Sequence, residues 1–199
     1  MRRHWPTLLA GAVLNAGCAG LLPQSGTTNL GGPWRPEPFA VADTILLDAE
    51  RACRRDLGGM VRPDNTFVVA DARGDGVLLV AFAGPASAAM CEFGVSEDGK
   101  LHARGGGSSE SSDPWPRLGP TDVETQGVGI SDDGVVQRSS TTGRAGALVA
   151  RVEIVTPAGL RLRASLGRDG WFAAWWPAGD EQIVVEAYDA SGALVGSSP

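Results

Sequence analysis

Apolar and polar positions change period along this chain. Leu46, Ala49, Cys53 and Leu57 recur at helical spacing, which predicts one amphipathic helix over residues 43–57. Asp43 stands where an N-cap belongs, Glu50 and Arg54 form an i,i+4 pair, and Gly58-Gly59 supplies the stop. From Thr66 onward the period falls to two. Residues 66–72 read as a strand, Asp75-Gly76 as a tight turn, and residues 77–83 (VLLVAFA) as a central strand buried on both faces. Gly84-Pro85 turns the chain into residues 88–95, where Cys91, Phe93 and Val95 share a face. Glu97-Asp98-Gly99 then leads into residues 100–104.

Residues 105–122 (GGGSSESSDPWPRLGPTD) break every period and read as a linker or long loop. Gly105-Gly106-Gly107 precedes no helical pattern, so it does not form a phosphate-binding turn. Strands follow at residues 123–130, 135–138, 148–156, 160–166, 170–176, 182–188 and 193–195, separated by Asp- and Gly-rich turns. Leu160, Leu162, Ala164 and Leu166 alternate with polar positions, which predicts one buried and one wet face.

The densest aromatic run is Trp171–Trp176 (WFAAWW). On a strand, Trp171, Ala173 and Trp175 face one side and Phe172, Ala174 and Trp176 the other. Two answers stay open: a strand covered on both sides, or an exposed ring at Trp171, Trp175 or Trp176 that forms a ligand or partner surface. The run GWFAAWWP ahead of Tyr188-Asp189 and Gly192 resembles the C-terminal part of some uncharacterised secreted actinobacterial proteins, a likeness that implies no activity.

The N-terminus bears on location. Arg2-Arg3, an apolar run from Trp5 to Ala16 and small residues after it have the order of a secretory signal. That run is shorter than the roughly 20 residues of a membrane-spanning helix. Leu14-Asn15-Ala16-Gly17-Cys18 resembles the lipobox of bacterial lipoproteins, with Asn15 standing where Leu is usual. The resemblance implies cleavage before Cys18 and its acylation, and a cell-envelope location on the extracytoplasmic face of the membrane. Ordinary cleavage near Ala19, giving a secreted protein, and an uncleaved anchor are the alternatives. Residues 1–18 are then the signal and residues 19–42, rich in Gly, Pro, Ser and Thr, a spacer.

Composition narrows the function classes. The 199 residues are 43% hydrophobic and carry a net charge of −6. An acidic chain is repelled by phosphate backbones, so no nucleic-acid partner is expected. Beyond Cys18, Cys53 and Cys91 form an even pair, read as a disulfide from the helix stripe to a strand, with two separate buried thiols as the alternative. Past the signal there is one histidine, His102, and one lysine, Lys100, so no zinc set or nucleophilic triad can be assembled with ease. No metal and no cofactor is expected. The carboxylates Asp71, Asp75, Glu97, Asp98, Asp132, Asp133, Asp169, Asp180 and Glu181 mostly fall in turns, where Asp bonds its own backbone.

The expected fold is α+β and mostly antiparallel: one helix on a meander sheet over residues 43–104, then a sandwich-like β unit of six or seven strands over residues 123–199, the two halves separate or sharing a core. The expected function is a lipid-anchored extracytoplasmic binding or interaction module, meeting an envelope glycan or protein and the membrane through its anchor. A cell-envelope hydrolase built on turn carboxylates is the alternative.

Overall fold

A computed structural model describes residues 30–96, 99–132, 137–177 and 182–199. The signal, Cys18, the first part of the spacer and the carboxylates Glu97, Asp98, Asp133, Asp180 and Glu181 lie outside these residues. The described residues form one α-helix, α1 (Asp43–Asp56), and twelve strands. They run β1 (Thr66–Gly74), β2 (Val77–Ala83), β3 (Ser87–Val95), β4 (Leu101–Glu110), β5 (Val123–Asp132) and β6 (Gln137–Ala145). Then come β7 (Arg151–Val155), β8 (Arg161–Arg163), β9 (Ser165–Leu166), β10 (Trp171–Trp176), β11 (Val184–Tyr188) and β12 (Leu194–Ser198). The fold is α+β and mostly antiparallel.

Three four-stranded sheets result: β1-β2-β3-β4, β5-β6-β10-β9 and β12-β11-β7-β8. Each is fixed by which faces are apolar. Ala49, Ala52 and Cys53 of α1 bury against Leu78, Val80 and Phe82 of β2 and Ala89, Cys91 and Phe93 of β3. The other face of β2, Val77, Leu79, Ala81 and Ala83, meets Trp171, Ala173 and Trp175 of β10. The opposite side of β10, Phe172, Ala174 and Trp176, packs with Val152, Ile154, Leu162, Val185 and Ala187 of the third sheet. The molecule is thus four layers: helix, first sheet, second sheet, third sheet. All seven residues of β2 and all six of β10 are buried, because each strand is covered on both faces.

Several boundaries differ from the sequence reading. The helix N-cap is Ala42 with no side-chain bond, and Asp43 sits in the first turn, where its charge favours the N-terminal dipole. Residues 30–42 are not a free spacer. They run beside β1, with Arg35 N–H donating to Arg73 O (2.9 Å), Phe39 N–H to Ala72 O (3.0 Å), and Gly76 N–H to Leu30 O (2.7 Å). Leu30 is buried.

The run at residues 105–110 is not a linker. It continues β4, pairing with β3 from Gly105↔Glu92 to Glu110↔Ser87. Backbone hydrogen bonds carry this pairing, so its absence of apolar side chains is no obstacle. Gly106 is needed there: a Cβ would stand 2.5 Å from Met90 O and 2.9 Å from Leu57 Cδ1, under the helix end. The reading of residues 135–138 was too short. β6 extends to Ala145, and Ser139, Ser140, Thr141 and Thr142 are buried although polar. Finally, the expected strand over 160–166 splits at Ala164, β8 joining the third sheet and β9 the second. Leu166 is consequently 40% exposed rather than buried.

Candidate functional site

Cys53 on α1 and Cys91 on β3 are both fully buried and joined, with Cα atoms 6.0 Å apart. That spacing is ordinary for a disulfide. The bond pins the helix to the first sheet at the centre of their shared core.

The aromatic strand resolves differently from the surface reading. Trp171, Trp175 and Trp176 are buried, at 5%, 2% and 0% exposure. None is an open platform: of the two answers left open by the sequence, the strand takes the one in which it is covered on both sides, and Trp171 alone of the three also lines a hollow. Beside the first and third sheets, two segments that looked like connectors add cover to Trp175 and Trp171. Trp34 stands edge-on to Trp175 at 6.5 Å, and Trp115 edge-on to Trp171 at 6.5 Å. Trp115 is fixed in turn by its Nε1–H donating to Gly84 O (3.1 Å) and by the Arg144 guanidinium over its ring.

The carboxylates are dispersed. Asp71 is no turn residue: it lies inside β1 and is completely buried. It accepts from Arg73 Nε (2.7 Å) and Nη2 (3.1 Å), Ser165 Oγ (2.7 Å) and Trp175 N–H (3.2 Å). Arg73 also donates to Pro36 O and Arg163 O. Burial pushes the Asp71 carboxyl upward, while Arg73, Ser165 and the Trp175 amide pull it back. With its acceptor sites filled, this group is a cross-pin between the sheets rather than a reagent. Asp75 turns β1 into β2 and accepts from Trp34 N–H at 3.1 Å. Asp169 lies in a 3-10 turn at Arg168–Gly170, and His102 is exposed on β4 opposite Gly94. No group of three or more His, Cys, Asp and Glu side chains able to hold a metal occurs among the described residues.

What the fold does assemble is a cleft. β4 is the edge of the first sheet and β5 the edge of the second, and the two edges lie on the same side of the stack. Between them opens a hollow of about 210 Å³ with Trp171 in its floor. Its walls are Met90 of β3, Gly107 and Ser109 of β4, and Gln126 and Val128 of β5. One end is closed by a tie between sheets: Ser131 Oγ donates to Glu92 Oε2 at 2.7 Å, and Arg138 lies 3.8 Å from Glu92. Glu92 and Arg138 are nearly buried, at 8% side-chain exposure each.

The hydrogen-bond alternation of an antiparallel pair decides which edge groups are free. Ser111 N–H donates to Ala86 O (2.8 Å), which makes 86/111 a bonded pair. Following the register, Gly105, Gly107 and Ser109 bond β3, whereas Gly106, Ser108 and Glu110 direct N–H and C=O away from it. Among the described residues no strand pairs with that outer edge. Sequence reasoning missed this site because its main component, Gly-Gly-Gly-Ser-Ser, carries no periodicity. The one available signal was the largely buried strand before it, β3, which needs a partner on its second side.

No family model matches the chain, and neither a curated protein nor a solved structure does.

Proposed function

We propose that this chain is an extracytoplasmic binding module, held at the membrane by acylation of Cys18, that engages an envelope protein or glycan through the β4/β5 cleft. The observation that carries the reading is an open strand edge beside a preformed hollow. A preformed recess on a rigid scaffold suits recognition. The Cys53–Cys91 bond agrees with an oxidising compartment, and the lipobox-like run at Cys18 supplies the anchor. A single acyl chain holds a protein only marginally, so stable attachment calls for more than one on the cysteine. The hydrolase reading draws less support: Asp71, Asp75 and Asp169 lie on different elements and share no cleft.

The test has two arms. Wild-type protein expressed in a bacterial host with a lipoprotein pathway should incorporate labelled palmitate and partition into detergent, and Cys18→Ser should do neither. Immobilised protein should retain envelope material, and Gly107→Leu should not. Gly107 lines the hollow and a Cβ there meets nothing within 4 Å, so the backbone accepts a side chain that occupies the hollow. Soluble, unlabelled wild type overturns the anchor; equal retention by Gly107→Leu overturns the cleft.

A further inference from the structure

We infer that the cleft takes an extended peptide of another protein, which adds as a strand to the outer edge of β4 and sets one large apolar side chain over Trp171. The inference rests on the proposed use of the cleft and names its ligand class.

Three observations converge. The first is the edge itself. Strand edges of this length are normally blunted by charge, proline or a covering element. Among the described residues, from Gly105 to Ser109 the edge of β4 has none of these: five consecutive Gly and Ser residues, with outward backbone groups at Gly106 and Ser108. Small side chains let a second backbone approach closely.

The second is the size of the hollow. Sites for whole small molecules run to about 300–1,000 Å³. The recess here is about 210 Å³, nearer to one large side chain than to a complete ligand.

The third is their relative placement. Side chains of a strand alternate between faces, and Gly107, opposite Met90, faces the second sheet. A strand laid along β4 therefore sends alternate side chains toward Met90, Val128 and Trp171. Main-chain bonding at an edge combined with a pocket for alternate side chains is the logic of strand addition.

A second copy of this chain is the competing occupant. Two β4 edges could pair, but each would offer the other only Gly and Ser, leaving the hollow over Trp171 empty. A foreign peptide with a large apolar residue fills it. The hollow's polar wall, Ser109, Gln126 and Thr142, is uncharged, so the inserted residue need carry no charge.

The test uses the full chain with its disulfide intact and a display library of unconstrained decapeptides. Expected is enrichment of peptides with large apolar residues at alternate positions. Binding should fall roughly tenfold or more in Ser108→Pro, which removes one outward N–H and leaves the ladder to β3 in place. Gly107→Leu, which fills the hollow, should lose binding as well. N-methylation of alternate peptide amides should abolish binding in one register and spare it in the other. Melting temperatures matching wild type keep the variants interpretable, and the N-methylated peptides, which remove the bond from the ligand side, carry the test where the proline variant melts lower.

Peptides that bind Ser108→Pro as well as wild type but not Gly107→Leu would overturn strand addition and leave the cleft in use. Failure to enrich any alternating peptide would overturn the inference, and concentration-dependent dimerisation abolished by Ser108→Pro would assign the edge to a second copy instead. Peptides indifferent to both substitutions would overturn the cleft reading with it.

Discussion

Asp71 and Arg73 stand two places apart on β1, both wholly buried, and their side chains meet at 2.7 Å. Through Ser165 and the Trp175 amide on one partner, and the Pro36 and Arg163 carbonyls on the other, this pair touches all three sheets. Sheets stacked face to face can slide on apolar contact alone; a saturated ion pair fixes one register. Removing one partner strands the other without water. Asp71→Ala and Arg73→Met should each destabilise the fold by about 3–5 kcal/mol. The double variant Asp71→Ala/Arg73→Met should cost less than the two single values together. Chemical denaturation of the four proteins checks this, and strict additivity would show that the pair acts as two independent side chains.

The disulfide closes a separation of 38 residues. In the chain-entropy model a loop of that length contributes about 4 kcal/mol. Cys53→Ala/Cys91→Ala should lose most of that in a denaturant titration and keep its β-rich circular dichroism in buffer. An unchanged midpoint on reduction would mean that helix packing alone holds α1.

The helix, the strand buried on both faces and the two-sided role of β10 were legible because each is written in apolar side chains at a fixed period. Three features were not. Residues 105–110 form a strand through backbone bonds to β3, which leave no trace in side-chain polarity. Ser139 to Thr142 lie in β6, a central strand of hydroxyl residues that a hydropathy pattern assigns to the surface. Trp34 and Trp115 sit in Pro-rich segments that look like connectors, and their value as covers for Trp175 and Trp171 depends on long-range placement. The candidate cleft is made from the first of these and from Trp171, so its floor was visible in the sequence and its rim was not.

Between the second and third sheets, Thr156 is buried with its hydroxyl unpartnered. Valine has the same shape without the polar group. Thr156→Val should therefore raise stability by about 1 kcal/mol, since an unpaired buried hydroxyl costs roughly that or more. Thermal unfolding of the variant measures it, and a lower melting temperature would show that the hydroxyl has a partner.

On the outer face of the third sheet, Arg161 bridges Glu153 (3.1 Å) and Glu186 (2.7 Å), and Tyr188 donates to Glu186. Hydrogen bonds from Arg161 and then Tyr188 hold the Glu186 carboxyl below its usual value. A lowered acid contributes stability above the ordinary carboxylate range and loses it as pH falls through the folded value. The cluster is largely exposed, so the effect is small. Arg161→Ala should cost little stability at neutral pH, and the gap from wild type should narrow as the solution is acidified. A gap that widens toward low pH would assign the arginine a packing role instead.

The free edge of β4 can be read directly from amide exchange, resolved residue by residue by NMR in the unbound protein. Gly105, Gly107 and Ser109 donate to β3 and should be protected, while Gly106, Ser108 and Glu110 face outward and should exchange fast. An alternating pattern over these six amides is the expected result. Uniformly fast exchange from Gly105 onward would mean that the strand ends at Arg104, and uniform protection would mean that another strand already occupies the edge; either would contradict an open β4 edge beside Trp171.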